Sequence, residues 1–335
     1  MKYFPRYGSG RGQMRFRDLT VLRPSLASEA EGVRGGLVNV RASAKPDRLI
    51  CGDGLAVMAE LAGASFDAIY FDPPFLTHKV RQGDRGAFAD DWPSLDAYLD
   101  WFKPWVVEAH RLLKPTGWLW LHLDWHAAAY VRVMTDAIFG PRQFKNEIVW
   151  HYTGRRSPAD HRFNQKHDNL LLYARSPQSR LAPLFEPWTR DEYVAMKRQR
   201  VHRDETGREW IWGHAGRGRS KAYRIYLDEQ VERGRAVDSV WDIPIINTSA
   251  GERTGYPTQK PQALLMRVVQ SSVPEGGLIG DFMAGSGTTA VVAFKLGRRF
   301  VAADREEAAV LVAEERLLEC GATVTVERRP PDAAR

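Results

Sequence analysis

The segment that most constrains the fold is residues 277–304, which alternate between strand-like and helix-like patterns. A short apolar run ends at Asp281, and the turn Gly285-Ser286-Gly287 then opens an apolar helical segment. That helix is predicted to end near Gly297, because glycine is common directly after a helix. A second apolar run leads to Asp304. A strand, helix and strand in this order predict parallel strands within an α/β fold.

The glycine turn in this segment is typical of a ligand-binding loop. Glycines let the backbone approach a ligand closely, and Asp304, which lies 17 residues after Gly287, is placed to hold ribose hydroxyls. Residues 285–290 also fit the dinucleotide pattern G-x-G-x-x-A, although this pattern is weak alone. No lysine follows the glycines, so the turn is not a phosphate-binding P-loop. A nicotinamide-dependent oxidoreductase therefore remains an alternative at this point.

A second feature is Asp72-Pro73-Pro74-Phe75, which directly follows the apolar run 66–71. Each proline disfavours helical backbone in the residue before it, so Asp72 is expected to be extended at the end of a buried strand. A carboxylate and a backbone carbonyl there could accept both protons of an –NH2 group, while Phe75 stacks on its ring. The alternative interpretation is a proline-rich strand end that only turns the chain.

Together the two features resemble the site-specific amino-methyltransferases of DNA, in the permuted class where the D-P-P-aromatic motif precedes the glycine-rich motif. Members commonly have D-P-F-x-G-S-G-T-T at the second motif, whereas residues 281–289 here are D-F-M-A-G-S-G-T-T. Two further segments resemble the same family: F-K-N-E-I-V-W at 144–150 and Y-P-T-Q-K-P at 256–261. The resemblance extends from about Arg48 to Leu318, apart from an insertion.

This resemblance implies a Rossmann-like α/β fold, with a mostly parallel sheet and helices on both faces, and S-adenosylmethionine as cofactor. It implies that the catalytic residues are Asp72, Pro73, Pro74 and Phe75. The cofactor-binding residues that it implies are Asp53, Thr258, Lys260, Asp281, Phe282, Gly285, Ser286, Gly287 and Asp304.

Two of these assignments also have a physical argument. Thr258 and Lys260 are hydrogen-bond donors that suit the methionine carboxylate of the cofactor. Asp53 borders the cofactor pocket in the family, but capping of the helix that follows it would explain this residue equally well.

The expected reaction is methyl transfer to the exocyclic amine of a base in duplex DNA, with the base flipped out of the stack. No metal is expected. Family members with Asp at the first motif position mostly modify adenine at N6, and those with Ser mostly modify cytosine at N4. Asp72 therefore favours adenine. The alternatives are an N4-cytosine enzyme, a non-catalytic DNA-binding protein and an enzyme acting on RNA.

The positive charge of the chain is concentrated in its middle third. The net charge is +7, and residues 141–250 contain 20 Lys and Arg against 14 Asp and Glu. Residues 176–250 depart from the strand–helix alternation and interleave basic with aromatic residues, which suits contact with phosphates and bases. We interpret them as a target-recognition insertion; the alternative is a charged excursion without special role. The expected DNA-binding residues are Arg155, Arg156, Arg217, Arg219 and Lys221.

The remaining expectations concern chain organisation and compartment. Residues 1–45 are predicted to be a flexible basic tail, 46–175 and 251–320 the catalytic domain, and 321–335 a frayed tail. Residues 76–90 are expected to form a loop. With no long apolar run, no signal-peptide pattern and two cysteines, the chain is expected to be cytoplasmic and not membrane-bound. Members of the family are often homodimers, and the sequence neither supports nor excludes a second copy.

Overall fold

The computed structural model describes residues 47–154, 158, 161–213 and 222–329, with the backbone alone described at 81, 82 and 86–89. The described chain divides into two compact units. One unit consists of residues 185–237, and the other contains 47–184 and 238–329. The predicted tail 1–45 and the predicted DNA contacts at Arg155, Arg156, Arg217, Arg219 and Lys221 lie outside the described residues.

The strands and helices are numbered in chain order. The strands are β1 Arg48–Cys51, β2 Phe66–Phe71, β3 Lys79–Gly83, β4 Gly86–Asp90, β5 Leu113–Leu123, β6 Phe144–His151, β7 His167–Ala174, β8 Phe185–Glu186, β9 His202–Arg203, β10 Glu209–Gly213, β11 Tyr223–Tyr226, β12 Arg235–Ala236, β13 Val240–Asp242, β14 Leu278–Asp281, β15 Arg299–Asp304 and β16 Val326–Arg328. The helices are α1 Gly54–Glu60, α2 Leu95–Leu112, α3 Ala128–Phe139, α4 Arg190–Lys197, α5 Leu227–Arg233, α6 Gln262–Ser272, α7 Thr288–Lys295 and α8 Glu307–Glu319, and Pro141–Gln143 is a short 3-10 helix.

The larger unit is built on a nine-stranded sheet in the order β13-β6-β7-β5-β2-β14-β15-β1-β16. Only β7 is antiparallel to its neighbours, β5 and β6, within this described sheet. Helices α1, α2 and α3 contact one another in turn, and so do α6, α7 and α8, which gives two helical layers. The prediction of a mostly parallel α/β sheet is therefore confirmed.

The core of this unit follows from continuous apolar runs. All six residues of β2 are buried, as expected for a strand of a parallel sheet that is covered on both faces. Ser94 caps α2, and its side chain accepts a hydrogen bond from the Ala97 amide. The buried face of α2 carries Tyr98, Phe102 and Trp105, and the rings of Phe102 and Trp105 contact Phe71 edge-on. The helix is therefore held against the strand that ends at Asp72.

The segment after Phe75 differs from the predicted loop. Strands β3 and β4 form an antiparallel hairpin in which Lys79 pairs with Asp90 and Gly83 with Gly86. The prediction was wrong because it relied on the polar, glycine-rich composition of this segment. Pairing of the two strands across a short turn satisfies the backbone N–H and C=O groups without any apolar pattern.

The end of the described chain also differs from its prediction. Residues 326–328 were expected to be frayed, but they form β16, which pairs in parallel with β1 at the sheet edge. The Arg48 guanidinium donates to the Glu327 carboxylate at 2.6 and 2.7 Å. An edge strand needs only one partner, so three residues suffice here, and the sequence pattern is too short to predict it.

The smaller unit has its own core. Strands β9, β10 and β11 form one sheet, β8 and β12 pair with each other, and Tyr193, Ile211 and Leu227 are buried together. This unit is shorter than the predicted insertion, because residues 176–184 and 238–250 belong to the larger unit.

Several basic residues of the smaller unit are engaged within it. Arg190 and Arg203 contact Glu209, and Arg208 contacts Asp228 and Glu229. The Arg224 guanidinium lies 4.8 Å from the ring centroid of Trp210. Part of the positive charge that was predicted to contact DNA is therefore balanced by acidic residues of the same unit.

None of the helices in the part of the chain that the structure describes has the length and apolar character needed to cross a membrane.

We expect Phe102→Ala to lower the free energy of unfolding of the larger unit by about 3–5 kcal/mol, because the ring is fully buried and its removal leaves a cavity. Phe163→Ala is the matched control, since this ring is 96% exposed, and its effect should stay within about 0.5 kcal/mol. Urea denaturation of both variants measures the difference. Equal losses in the two variants would contradict the packing described for α2.

Candidate active site

A cavity of about 800 Å³ opens in the larger unit at the carboxyl ends of β1, β2, β14 and β15. In open α/β sheets this edge is where ligands bind. The cavity brings together nearly all of the residues predicted to form the site. Those that line it are Asp53, Asp72, Pro73, Pro74, Phe75, Thr258, Lys260, Asp281, Phe282, Gly285, Ser286 and Asp304.

Gly287 is the predicted site residue that does not line this cavity. Its φ is +71°, a left-handed conformation that favours glycine, and a Cβ there would lie 2.5 Å from the Ala313 Cβ of α8. The glycine is therefore required for the turn and for the close packing of α7 on α8.

The D-P-P-F segment leaves the end of β2 and is held from two directions. The Tyr98 hydroxyl on α2 donates to the Pro74 carbonyl at 2.8 Å. The Asp90 carboxylate accepts the amides of Phe75, Leu76 and Thr77 at 2.9 to 3.1 Å. Asp72 itself remains partly accessible, with 19% of its side chain exposed to the cavity side of the strand end.

Lys260 has a partner that the sequence did not predict. Its Nζ lies 2.5 Å from the Asp72 Oδ2, and 5.3 Å from the ring centroid of Phe75. The resemblance implied that this lysine contacts the cofactor carboxylate. The structure joins the Y-P-T-Q-K-P segment to the D-P-P-F segment through an ion pair, across 188 residues of sequence.

The glycine turn is fixed by the carboxylate at the end of β15. Gly285 has a φ of +50°, and its amide donates to Asp304 Oδ2 at 2.7 Å. The other oxygen of Asp304 accepts the Glu306 amide at 2.9 Å. Burial raises the pKa of Asp304 although these two hydrogen bonds oppose the shift. Asp304 therefore shapes the turn in addition to the ligand-binding role predicted for it.

A buried arginine supports the same turn from behind, and sequence reasoning missed it. Arg316 on α8 is 7% exposed, and its Nη1 donates to the Ser286 carbonyl at 2.6 Å and to Thr288 Oγ1 at 3.0 Å. Burial lowers the pKa of this guanidinium. No local sequence pattern around Arg316 indicates this contact.

Asp281, at the end of β14, is 3% exposed and faces the cavity. Burial raises the pKa of its carboxyl group to about 7, opposed by hydrogen bonds from Thr289 and the Met283 amide, and the negative charge of Asp72 adds to the rise. A carboxyl group with this pKa gains or loses its proton near neutral pH, so a nearby positive charge would stabilise its ionised form.

Two predicted residues have structural roles beside their place on the cavity wall. Asp53 Oδ1 accepts the Ala56 amide at 2.8 Å and thus caps α1, as its alternative interpretation proposed. The Phe282 ring is 1% exposed and packs edge-on against Phe66 at 5.8 Å. The phenylalanine that replaces the family's usual proline therefore contributes its ring to the core.

A chain of hydrogen-bonded polar side chains borders the cavity, and its members Tyr70, Tyr152 and Asp168 line the wall. The Tyr70 hydroxyl lies 2.7 Å from His122 Nδ1, His122 Nε2 lies 3.2 Å from Asp168 Oδ2, and Tyr152 donates to Asp168 Oδ1 at 3.1 Å. Burial pushes the pKa of Asp168 upward, but the interactions with His122, Lys260 and Tyr152 together outweigh it, so this pKa is lowered. Sequence reasoning did not predict these contacts.

Other wall residues were also missed by sequence reasoning. They are Trp101, Trp105, Trp150, Tyr256 and Glu306. Tyr256 lies in the Y-P-T-Q-K-P segment, and its ring is the closest neighbour of a Cβ built on Gly285. The motif itself was the signal for this tyrosine, whereas the tryptophans belong to apolar patterns that predict only burial.

The assembled wall offers three chemical functions at one edge. The carboxylates Asp281 and Asp304 flank a glycine turn, which suits a polar ligand with a positive charge and hydroxyl groups. The Asp72 carboxylate and the strand-end backbone suit an –NH2 group. The Phe75 ring suits a flat aromatic ring.

Comparison with known protein families agrees with the ligand chemistry that this cavity suits. Residues 66–315 match the family described as DNA methylase, N6_N4_Mtase, and the chain belongs to this family. It is 25% identical over 273 residues to the DNA adenine methyltransferase YhdJ of Escherichia coli strain K12, covering 80% of this chain and 82% of that protein. It is 26% identical over 270 residues to the type II methyltransferase M.HpaI of Haemophilus parainfluenzae, covering 81% and 74% of the two chains.

Solved structures share the fold. TTHA0409 from Thermus thermophilus, in complex with S-adenosyl-L-methionine, superimposes with a TM-score of 0.52 at 20% identity, covering 86% of this chain and 99% of that chain. The cytosine-N4-specific PvuII DNA methyltransferase superimposes with a TM-score of 0.54 at 13% identity, covering 82% and 87%. These likenesses place the larger unit among the Rossmann-like methyltransferase folds.

The raised pKa of Asp281 predicts a pH-dependent contribution to stability. Its folded-state pKa of about 7 lies above the ordinary value of 3.8, so the folded protein binds this proton more tightly than the unfolded chain. The stabilisation is complete below about pH 3.8 and is lost as the pH rises through about 7. We expect the free energy of unfolding of the wild type, relative to Asp281→Asn, to fall as the pH rises from about 4 to about 7 and to level off above that, as measured by urea denaturation. A constant difference would contradict the assignment.

Proposed function

We propose that this protein transfers a methyl group from S-adenosylmethionine to the exocyclic N6 amine of adenine in duplex DNA. The observation that carries the proposal is the meeting of two motifs in one cavity. The Asp72-Pro73-Pro74-Phe75 segment ends β2, and the glycine turn follows β14, the neighbouring parallel strand. In this proposal Asp72 is the acceptor for the amine and the glycine turn is the loop for the methyl donor, and their common position at one sheet edge supports it.

The residues around the glycine turn fit the proposed cofactor. Gly285 adopts a left-handed conformation and brings backbone close to the cavity, and Asp304 lies beside it with a carboxylate for ribose hydroxyls. Asp281 offers a carboxyl group that ionises near neutral pH, close to where a cationic ligand would bind. When bound, S-adenosylmethionine supplies a methyl group on a positively charged sulfur, which leaves as a neutral thioether.

Asp72 and Phe75 would prepare the amine. The nitrogen of an aromatic amine is a poor nucleophile because its lone pair is delocalised into the ring. Hydrogen bonds from the –NH2 group to Asp72 and to the Pro73 carbonyl favour a more tetrahedral nitrogen, whose lone pair is then free to attack. Phe75 stacks on the flipped base and fixes the direction of attack, and this positioning supplies much of the rate. The Asp72 carboxylate also stabilises the positive charge that develops on the nitrogen.

Lys260 has a distinct role in this proposal. It occupies Asp72 Oδ2, so we assign Oδ1 as the oxygen that accepts the amine. An ammonium group on one oxygen holds the carboxylate in a single orientation, in a pair whose side chains are only 11% and 19% exposed. Thr258, which also lines the cavity, remains a proposed donor to the methionine carboxylate.

Adenine is the proposed target because Asp stands at the first motif position and because one relative is named a DNA adenine methyltransferase. We also assign the chain to the permuted class, since its D-P-P-F motif precedes its glycine motif. The second candidate is cytosine N4, which the fold shared with the PvuII enzyme supports. The amines of adenine and cytosine offer Asp72 the same two donors.

The proposed partner is double-stranded DNA, and the smaller unit is the proposed target-recognition element. Its aromatic side chains Trp212 and Tyr223 are exposed, and Trp212 pairs with Arg224 across β10 and β11. Arginines and aromatic rings together suit contact with phosphates and with unstacked bases.

We expect wild-type protein to incorporate labelled methyl groups from S-adenosylmethionine into unmethylated genomic DNA, and Asp72→Ala to lose this activity by at least about a hundredfold. Digestion to nucleosides and mass analysis identify the product, which we expect to be N6-methyladenine. Detection of N4-methylcytosine would show that the target base is cytosine and not adenine, and it would leave the proposed site unchanged. A methylated RNA, or no methylated base from protein that binds the cofactor, would overturn the proposal.

Lys260→Met should lower kcat about tenfold to a hundredfold and leave KM for S-adenosylmethionine nearly unchanged, because the variant frees Asp72 to rotate. Lys103→Met, which removes an exposed lysine from α2, is the control. If the lysine instead bound the cofactor carboxylate, as the motif implied, KM for S-adenosylmethionine would rise and kcat would change less. Steady-state kinetics of methyl transfer separates the two roles.

A further inference from the structure

Asp90, at the end of β4, is 2% exposed and accepts four hydrogen bonds, one from the last residue of the D-P-P-F motif and three from the two residues that follow it. Its Oδ2 accepts the Phe75 amide at 3.1 Å, the Thr77 amide at 3.0 Å and the Thr77 hydroxyl at 2.6 Å. Its Oδ1 accepts the Leu76 amide at 2.9 Å. Three consecutive amides beyond the end of a strand thus share one carboxylate.

The backbone at this point needs such support. Leu76 and His78 have φ values of +63° and +54°, in the left-handed region that costs a non-glycine residue about 1 kcal/mol or more. Such conformations persist where surrounding contacts hold them. The hydrogen bonds to Asp90 are charge-assisted and span both sides of Leu76, so they select this conformation over a relaxed loop.

Asp90 is itself fixed in place by the hairpin that it ends. It pairs with Lys79 at the base of the hairpin. At the other end, Gly83 lies so close to the segment before Lys260 that an added Cβ would be 2.7 Å from the Gly255 carbonyl and 2.8 Å from Pro257. The hairpin therefore connects the two motifs that meet at Asp72, and its ends are held by different parts of the site.

The segment that Asp90 holds carries the aromatic ring of the proposed site. The Tyr98 hydroxyl donates to the Pro74 carbonyl, and Asp90 accepts the Phe75 amide of that same peptide group and the Leu76 amide of the next one, so Phe75 lies between two anchored peptide groups. Its ring is 5.7 Å from the ring of His122 and 5.3 Å from the Lys260 ammonium. A small rotation of the Phe75 peptide would move this ring away from both.

We propose that Asp90 is a positioning residue for base methylation: it sets the place of the Phe75 ring against the target base. The inference rests on the proposed function and extends it, because Asp90 acts on the base through Phe75. The four hydrogen bonds engage both carboxylate oxygens of Asp90. An asparagine at this position keeps the size of the side chain. Its amide nitrogen, however, would face a backbone N–H, so at least one donor would lose its acceptor.

The test compares Asp90→Asn with Asp100→Asn. Asp100 is the matched control because it is an exposed aspartate on α2 that does not line the cavity and accepts none of the loop amides described above. With unmethylated genomic DNA, we expect Asp90→Asn to lower kcat about a hundredfold and Asp100→Asn less than about threefold. Equilibrium dialysis with S-adenosylmethionine alone should give Kd values within about twofold of the wild type for both.

A double-mutant cycle separates positioning from general loop stability. If Asp90 acts through Phe75, adding Asp90→Asn to Phe75→Ala should lower kcat by less than about threefold further, because the ring to be positioned is absent. If the two losses multiply, Asp90 acts elsewhere and the inference is wrong. Thermal unfolding of each variant shows whether the fold is retained.

A milder variant keeps the test available if Asp90→Asn does not fold. Thr77→Val removes one of the four hydrogen bonds and keeps the shape of the side chain, and we expect kcat to fall roughly threefold to tenfold with the Kd for S-adenosylmethionine unchanged. If the wild type is active and Thr77→Val has the same kcat, this inference is wrong, but the proposed function is not affected. A wild type that methylates no DNA would overturn the proposed function, and this inference with it.

Discussion

The structure depends on the parallel pairing of β2 with β14. Ala68 pairs with Ile279 and Ile69 with Gly280, so two strands from distant parts of the chain run side by side in one direction. Parallel neighbours end at the same edge of a sheet, and this places Asp72 and the glycine turn on one cavity. Gly280 makes the arrangement possible, because a Cβ there would lie 2.7 Å from the Phe282 ring. The site is therefore a consequence of strand order.

The electrostatics of the cavity follow from this convergence. The carboxyl groups of Asp72, Asp281 and Asp304 are gathered at strand ends, and their mutual repulsion adds to the burial that raises the pKa of Asp281 to about 7. Lys260 offsets one of these charges at Asp72. A site that concentrates negative charge in this way favours a positively charged ligand over a neutral one. The proposed methyl donor carries such a charge, and its thioether product has lost the positive charge on sulfur.

Composition did not predict the structure correctly in one part of each unit. In the smaller unit the alternation of basic and aromatic residues suggested contact with DNA, yet Arg190, Arg208 and Glu209 show that part of this charge is balanced internally. A count of residues cannot distinguish an arginine that faces a phosphate from one that faces an acid nearby. In the hairpin of β3 and β4 the absence of an apolar pattern suggested a loop, because backbone pairing leaves little trace in composition.

The sequence by itself determined the features that depend on local conformation. Buried strands follow from apolar runs, the extended end at Asp72 follows from two prolines, and the turn before α7 follows from its glycines, since each acts on the backbone of its own neighbours. Only the tertiary structure decided which distant groups meet: Lys260 with Asp72, Arg316 with Ser286, and Asp90 with the amides of residues 75–77. The partners lie 188, 30 and at most 15 residues apart. Their contacts depend on how the strands and helices are arranged in space, which no local pattern encodes.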